Sequence, residues 1–398
     1  MYKKDFPIFK NHPKLIYLDS AATSQKPRVV IDTENAWYQS MNANIHRGLY
    51  DLAHTATQEI ERVRAEVARF VDAPNPQSIS FTKNATEALN NVVFGGLAHT
   101  IKKNDVILVS EMEHHANILP WLRLSQTRQC SIRWWPVKSD GTLSAITPKL
   151  LNGVSVIALT HVSNVLGTIN PIAEICAIAR QRNIVTVIDA TQSIGHMPVS
   201  LKRIHPDFLV FSGHKMLGPT GVGILYVDPR HHAHLQPFIV GGDMVDTVTK
   251  HQVSYQPYPY LYEAGTLPLA QIYGLLGAMK YLKAAGLPAI KRHLDSLTKY
   301  AYTELAKIPD VTLLGPDAKN RGHLVSFTVR NIHAHDIASM LNEAHIAVRA
   351  GHHCAHIIHQ SLGIEASVRM SFHVYTSMAD VKTAITALRA CIKRWNTL

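Results

Sequence analysis

Short apolar runs recur along the first half of the chain, and each closes on small or polar residues. Leu15–Leu18, Ser78–Phe81, Asp105–Val109, Val154–Leu159, Ile184–Ile188, Phe208–Phe211 and Gly223–Val227 read as strands, too short and too continuously apolar to be amphipathic helices. Between them the apolar residues fall three and four apart. Pro27 opens a helix running to about Met41, residues 42–57 read as irregular, Ile60, Val63, Val67 and Phe70 mark a helix over 57–70, and another spans Ile172 to Gln181. Alternation of this kind predicts an α/β fold with a mainly parallel sheet flanked by helices. After Asp228 the pattern changes. Residues 231–256 are loop-rich and a long helix follows from Leu269 to Ala285. Helices near 288–307, 334–344 and 378–394 then alternate with strands near 323–330, 346–349 and 367–374, which predicts a smaller C-terminal α+β domain. The expected division is an N-terminal segment 1–18 packing with the small domain, a large domain 19–268 and a small domain 269–398.

In parallel sheets ligands sit beyond the carboxyl ends of the strands, so the residues just after the apolar runs are the candidates for chemistry. The stretch from Asp207 to Leu225, DFLVFSGHKMLGPTGVGIL, sets Lys215 in a turn after a buried strand. A partly desolvated amine has a lowered pKa and can form an imine with a carbonyl compound. Ser212 and His214 beside it offer donors to an anion such as a phosphate. The strand Val185–Ile188 ends in Asp189, a buried carboxylate that needs a cationic partner. A protonated pyridine nitrogen would be one, and Gln192 could donate to a ring oxygen. Thr86 stands at a helix start, where free N–H groups suit a phosphate, and His114 follows another strand. Taken singly these residues also fit loop and helix caps. Together they have the chemistry of a pyridoxal-5′-phosphate (PLP) site.

Composition narrows the class. The 398 residues carry a net charge of +11 with 24 histidines, but Lys and Arg are scattered, which reads as a solvated basic surface and argues against nucleic-acid binding. No apolar run reaches the roughly 18 residues needed to span a bilayer, and the N-terminus lacks a signal-peptide core, so the expectation is a cytoplasmic enzyme with no membrane association. Cys130, Cys176, Cys354 and Cys391 have no CxxC spacing and are expected to be reduced. His231, His232 and His234 lack a carboxylate or Cys at ligand spacing and read as solvated; no metal is expected.

Eight segments in order carry a family resemblance: YLDSAAT (17–23), NATEALN (84–90), EMEHHANILPW (111–121), THVSNVLGT (160–168), DATQS (189–193), FSGHKMLGPTGVGILY (211–226), YEAGT (262–266) and RAGHHCA (349–355). The chain resembles the cysteine desulfurases, and more closely the group-II, SufS-like branch of the class-V aminotransferase superfamily. The resemblance implies fold type I of the PLP-dependent transferases and conversion of L-cysteine to L-alanine and an enzyme-bound persulfide. It implies that Lys215 links covalently to PLP and shuttles a proton, that Asp189 pairs with the pyridine nitrogen and Gln192 with the phenolic oxygen, and that His114 stacks on the ring and moves protons. Thr86, Ser212 and His214 would hold the phosphate, with Thr266 reaching the phosphate of a neighbouring subunit in a homodimer. Asn164 and Arg369 would bind the substrate carboxylate, with Arg349 beside the loop of Cys354, the persulfide-forming nucleophile. Nearby Arg and His favour the thiolate. A short interval between Arg349 and Cys354 implies a SufE- or SufU-like acceptor protein serving iron–sulfur cluster assembly. Selenocysteine lyase activity is the alternative on the same fold; a class-V epimerase or transaminase has no use for Cys354, and a non-catalytic PLP scaffold would not need the full residue set.

Overall fold

A computed structural model describes residues 2–397. Seven strands form the central sheet: β1 (Ile79–Thr82), β2 (Val106–Ser110), β3 (Ser131–Trp135), β4 (Val154–Thr160), β5 (Val185–Asp189), β6 (Phe208–Ser212) and β7 (Gly223–Val227). Their order is β1-β7-β6-β5-β4-β2-β3, and β7 alone runs antiparallel to its neighbours. β1, β2, β6 and β7 are buried along their whole length, the behaviour of continuous apolar runs in a sheet covered on both faces. The carboxyl ends of β1, β2, β4, β5 and β6 therefore open on one edge. The register fixes their relative heights, with Thr160 opposite Asp189 and Asp189 opposite Val210.

One face of the sheet packs into a core with α1 (Arg28–Ser40), α2 (Asp51–Phe70) and α3 (Leu269–Ala285). The other is covered by Val92, Val93, Trp121 and Leu124. Ala53, Ala56, Ile60, Val63 and Val67 make up the buried stripe of α2, so this helix begins at Asp51 and takes in residues that read as irregular. α3 lies against α1 and α2. A Cβ on Gly277 would fall 2.9 Å from the Val29 oxygen, so only glycine permits this approach. α3 thus packs with helices of the large sheet and ends at Gly286, where φ is +76°.

The C-terminal unit has an antiparallel sheet of β8 (Val311–Leu314), β9 (Leu324–Val329), β10 (Arg349–Gly351) and β11 (Ser367–Ser371), in the order β8-β9-β11-β10. Helices Leu287–Leu305, Ala334–Glu343 and Met378–Trp395 accompany it. The N-terminal segment is tied to this unit. Ile16–Tyr17 pairs in parallel with Ile346–Ala347, Phe6 stacks edge-on against Tyr375 at 4.9 Å, and Lys3 meets Asp380 at 3.0 Å.

His231 and His232 are not solvated as the sequence suggested. His231 pairs with the buried Asp207 and lies on Phe208, and His232 bonds the Val227 oxygen. The four cysteines are free. Among the described residues no group of three or more His, Cys, Asp or Glu is placed to hold a metal, and no helix is long and apolar enough to cross a membrane.

Candidate active site

The carboxyl edge of the large sheet opens into a cavity of about 260 Å³ lined by residues from five strand ends and from β10. Behind β1 comes the Asn84–Thr86 turn, in which the Asn84 side chain caps the next helix by accepting from the Glu87 N–H. Ser212 reaches across from β6 and its Oγ accepts from the Ala85 N–H at 2.9 Å. Gly223 lets this turn sit directly on β7, because a Cβ there would meet the Asn84 backbone at 2.5 Å. Thr86, Ser212 and His214 all line the cavity. His214 Nδ1 lies 3.2 Å from Thr23 Oγ1, within the small-residue run that follows the first short strand.

Lys215 ends the single 3₁₀ turn after β6. Burial pulls its amine down to about 8; Asp189 opposes that shift, while Arg369 and Arg349 add to it. Asp189 ends β5, and one carboxylate oxygen accepts the Thr191 N–H at 2.9 Å. Burial raises this carboxyl, and among the described residues it has no salt-bridge partner. A cation set against it from the cavity would supply one. Gln192 donates to the Ala21 oxygen at 2.9 Å, which leaves its own Oε1 buried without a partner. The second N–H of the Gln192 amide remains available to an acceptor. His114 accepts the Ala116 N–H on Nδ1 at 3.1 Å, which puts the proton on Nε2. Burial, and then Lys215, push it down to about 3, so the ring is neutral.

The other wall comes from the C-terminal unit. Arg349 and Arg369 stand directly opposite each other on β10 and β11. Like charges at such a pair are unfavourable unless an anion lies between or beside them. Arg369 is buried and meets Asp19 at 3.0 Å and the Asn164 oxygen at 2.9 Å, while its Nε has no partner. Arg349 points at Cys354, with Nη2 3.7 Å from Sγ. His353 and Cys354 both have positive φ, 53° and 57°. Two consecutive non-glycine residues there cost about 1–3 kcal/mol each. Bonds from outside the loop hold them: Asn164 Nδ2 donates to the His353 oxygen and the His115 N–H donates to the Cys354 oxygen, each at 2.8 Å.

The structure gathers Thr86, His114, Asn164, Asp189, Gln192, Ser212, His214, Lys215 and Arg349 around one cavity, with Arg369 and Cys354 at its wall. Thr266 is elsewhere, exposed beside Asn44, His46 and Asp243. Two groups escaped the sequence reading. Glu113, beneath His114, is buried and takes bonds from Ser110, from the Thr160 N–H at 2.8 Å and from Asn117 at 2.6 Å. Glu263 is buried against Arg64 at 2.6 Å and accepts the Phe81 N–H at 2.8 Å, anchoring the loop that carries Thr266. Glu263 stands as a single acidic letter whose partners are distant in sequence, and Glu113 is bonded partly by its near neighbours Ser110 and Asn117, which gave no sign of its burial.

The cavity fits PLP by its donor set: an amine whose pKa burial lowers to about 8, a buried carboxylate without a salt-bridge partner among the described residues, and hydroxyl and imidazole groups, all lining one space. Comparison with known proteins agrees. The aminotransferase class-V family model matches residues 16–383. A probable cysteine desulfurase of Streptomyces coelicolor is 41% identical, over 97% of this chain and 95% of its own. Among solved structures, an apo cysteine desulfurase from Thermococcus onnurineus superposes with a TM-score of 0.94 at 37% identity, covering 98% of this chain and 97% of that one. The Escherichia coli cysteine desulfurase CsdA, solved with an S-sulfonic acid, superposes with a TM-score of 0.90 at 30% identity, covering 98% of each chain.

Proposed function

The chain belongs to the aminotransferase class-V family and, within it, to the PLP-dependent cysteine desulfurases, and from that premise we propose that it passes the sulfur of L-cysteine to Cys354 as a persulfide, releases L-alanine, and hands the sulfur to an acceptor protein in iron–sulfur cluster assembly. The observation that carries this reading is the fold of the Cys354 loop onto the cavity wall, through Arg349, Asn164 and His115.

Bound PLP supplies an electron sink for negative charge on the substrate's α-carbon. The chain's own residues do the rest. Asp189 would hold the pyridine nitrogen protonated, His114 would lie against the ring, and Thr86, Ser212 and His214 would hold the phosphate. Gln192 would donate to the ring oxygen. Arg369 and Asn164 take the substrate carboxylate, an anion that relieves the repulsion between Arg349 and Arg369. Lys215 Nζ, unprotonated in a useful fraction at neutral pH, removes the α-proton and later returns one to carbon. The Cys354 thiolate attacks the substrate sulfur. The new S–S bond forms as the C–S bond breaks, its electron pair stays on carbon, and protonation there gives alanine.

Two further features belong to the proposal. Exposed Leu49, Tyr50, Ile239 and Val240 lie on the segments flanking Thr266, where Arg47 Nη2 reaches the Val245 oxygen at 3.1 Å and the Gly265 N–H reaches the Gly242 oxygen at 2.9 Å. An apolar face of this kind suits a second copy of the chain, with Thr266 offered to the partner's phosphate. Only residues 352–355 separate β10 from the helix His356–Ser361, so Cys354 has a short reach. That favours a SufS-like enzyme served by a SufE- or SufU-like acceptor that comes to the cysteine. The test is alanine and sulfide release from L-cysteine with reductant, in wild type and Cys354→Ala, with PLP content checked by absorbance. Loss of sulfide in a variant that still holds PLP supports the reading; equal activity in both overturns it.

A further inference from the structure

His115 follows the ring-facing His114 but is turned away from the cavity. Two of its atoms grip the Cys354 loop from opposite ends. Its main-chain N–H donates to the Cys354 oxygen at 2.8 Å. Its side-chain Nε2 accepts the main-chain N–H of His356 at 3.2 Å and lies 2.9 Å from His356 Nδ1. The two rings stack at 4.8 Å, nearly parallel. Both contacts at Nε2 need its lone pair, so the His115 proton sits on Nδ1. The left-handed Cys354 sits at the first anchor, next to His353 in the same conformation, and only Ala355 lies between it and the second anchor.

We propose that His115 is a positioning residue for the sulfur-accepting step, holding the His356 end of the Cys354 loop only while its imidazole is neutral, so that protonation of His115 releases that end while the main-chain bond to Cys354 stays. This rests on the role assigned above to Cys354. The titratable groups that face His115 are imidazoles: His114 on its own segment, at 6.2 Å between rings, and His356 and His352 on the segment opposite. Burial, and then His356 and His352, move His115 below the ordinary 6.5, so the His356 end is held at neutral pH and released only on the acid side of that value. Protonation of His356 has no such effect, because its Nδ1–H and main-chain N–H remain donors. Gln at 115 can place an oxygen near the position of Nε2 and does not titrate.

The test reads the loop and not turnover. Hydrogen exchange at the His356 amide, corrected for intrinsic rates, is measured in the PLP-loaded enzyme for wild type, His115→Gln and His115→Leu at about pH 8 and about pH 5. Removing the acceptor is expected to speed exchange in His115→Leu about tenfold at pH 8. His115→Gln is expected to stay within about twofold of wild type at pH 8 and to show no acid response, while wild type at pH 5 approaches the Leu variant. Equal protection in all three proteins, or the same acid response in wild type and His115→Gln, overturns the proposal. Because no turnover is read, a failed role for Cys354 would leave this result intact and appear only in the sulfide assay.

Discussion

Lys215 and Asp189 face each other across a cavity that neither fills, and their opposite shifts have one cause. Burial disfavours each charge, and each partly rescues the other. With the Lys215 amine at about 8, the unprotonated form needed for bonding to an aldehyde grows as pH rises through that value. PLP uptake by cofactor-stripped protein is therefore expected to accelerate roughly tenfold from pH 6.5 to 7.5 and to level off above 8, followed by the visible absorbance of the bound cofactor. A rate flat over that range would remove Lys215 as the titrating group. Most of these residues were legible because each follows an apolar run, and the sheet brings the ends of such runs together. Glu113 was not, because nothing in the sequence marks a carboxyl that the neighbouring strand closes over through the Thr160 N–H and that burial raises to about 8.

At the scale of elements, the Arg64–Glu263 pair joins α2, β1 and the loop that carries Thr266. Arg64 also donates to the Ile79 oxygen at 2.8 Å, and both side chains are buried. Removing Arg64 leaves the buried Glu263 carboxylate without a cation, at a cost of about 3–5 kcal/mol, whereas removing Glu263 leaves Arg64 its second partner, Glu61 at 2.9 Å. Arg64→Met is expected to lower the free energy of urea unfolding by that amount; a change under about 1 kcal/mol would show that the pair is dispensable. The sequence placed α2 too short because its first turns bury Ala53 and Ala56, which carry little apolar signal. β3 escaped notice because it is an edge strand with exposed Ser131 and mixed residues, and an edge does not demand a continuous apolar run.

At the scale of the whole molecule, the two units meet through a buried stack of histidines. His196 of the large unit lies 3.5 Å, ring to ring, from His323 and 4.5 Å from His373, both of the C-terminal unit. Burial holds His196 down to about 3 and the other two well below the ordinary 6.5. The folded state thus binds fewer protons than the unfolded chain below 6.5. Stability from these groups is complete above that value and is lost as pH falls, by up to about 1.4 kcal/mol per pH unit for each imidazole. Urea unfolding at pH 7 and pH 5 is expected to show this loss, with a shallower slope in His196→Asn. An unchanged slope would place the acid sensitivity elsewhere. No pattern of apolar spacing announces the stack, because its members lie on three separate segments that meet only when the units dock.

The account turns on where the sulfur goes. Intact and peptide mass spectrometry of the PLP-loaded enzyme, after one turnover with L-cysteine and no reductant, tests it directly. The prediction is one added sulfur atom on the peptide containing Cys354, with alanine formed in equal amount and neither product in Cys354→Ala. Sulfur found on another residue, or alanine and free sulfide at the wild-type rate from Cys354→Ala, would contradict it.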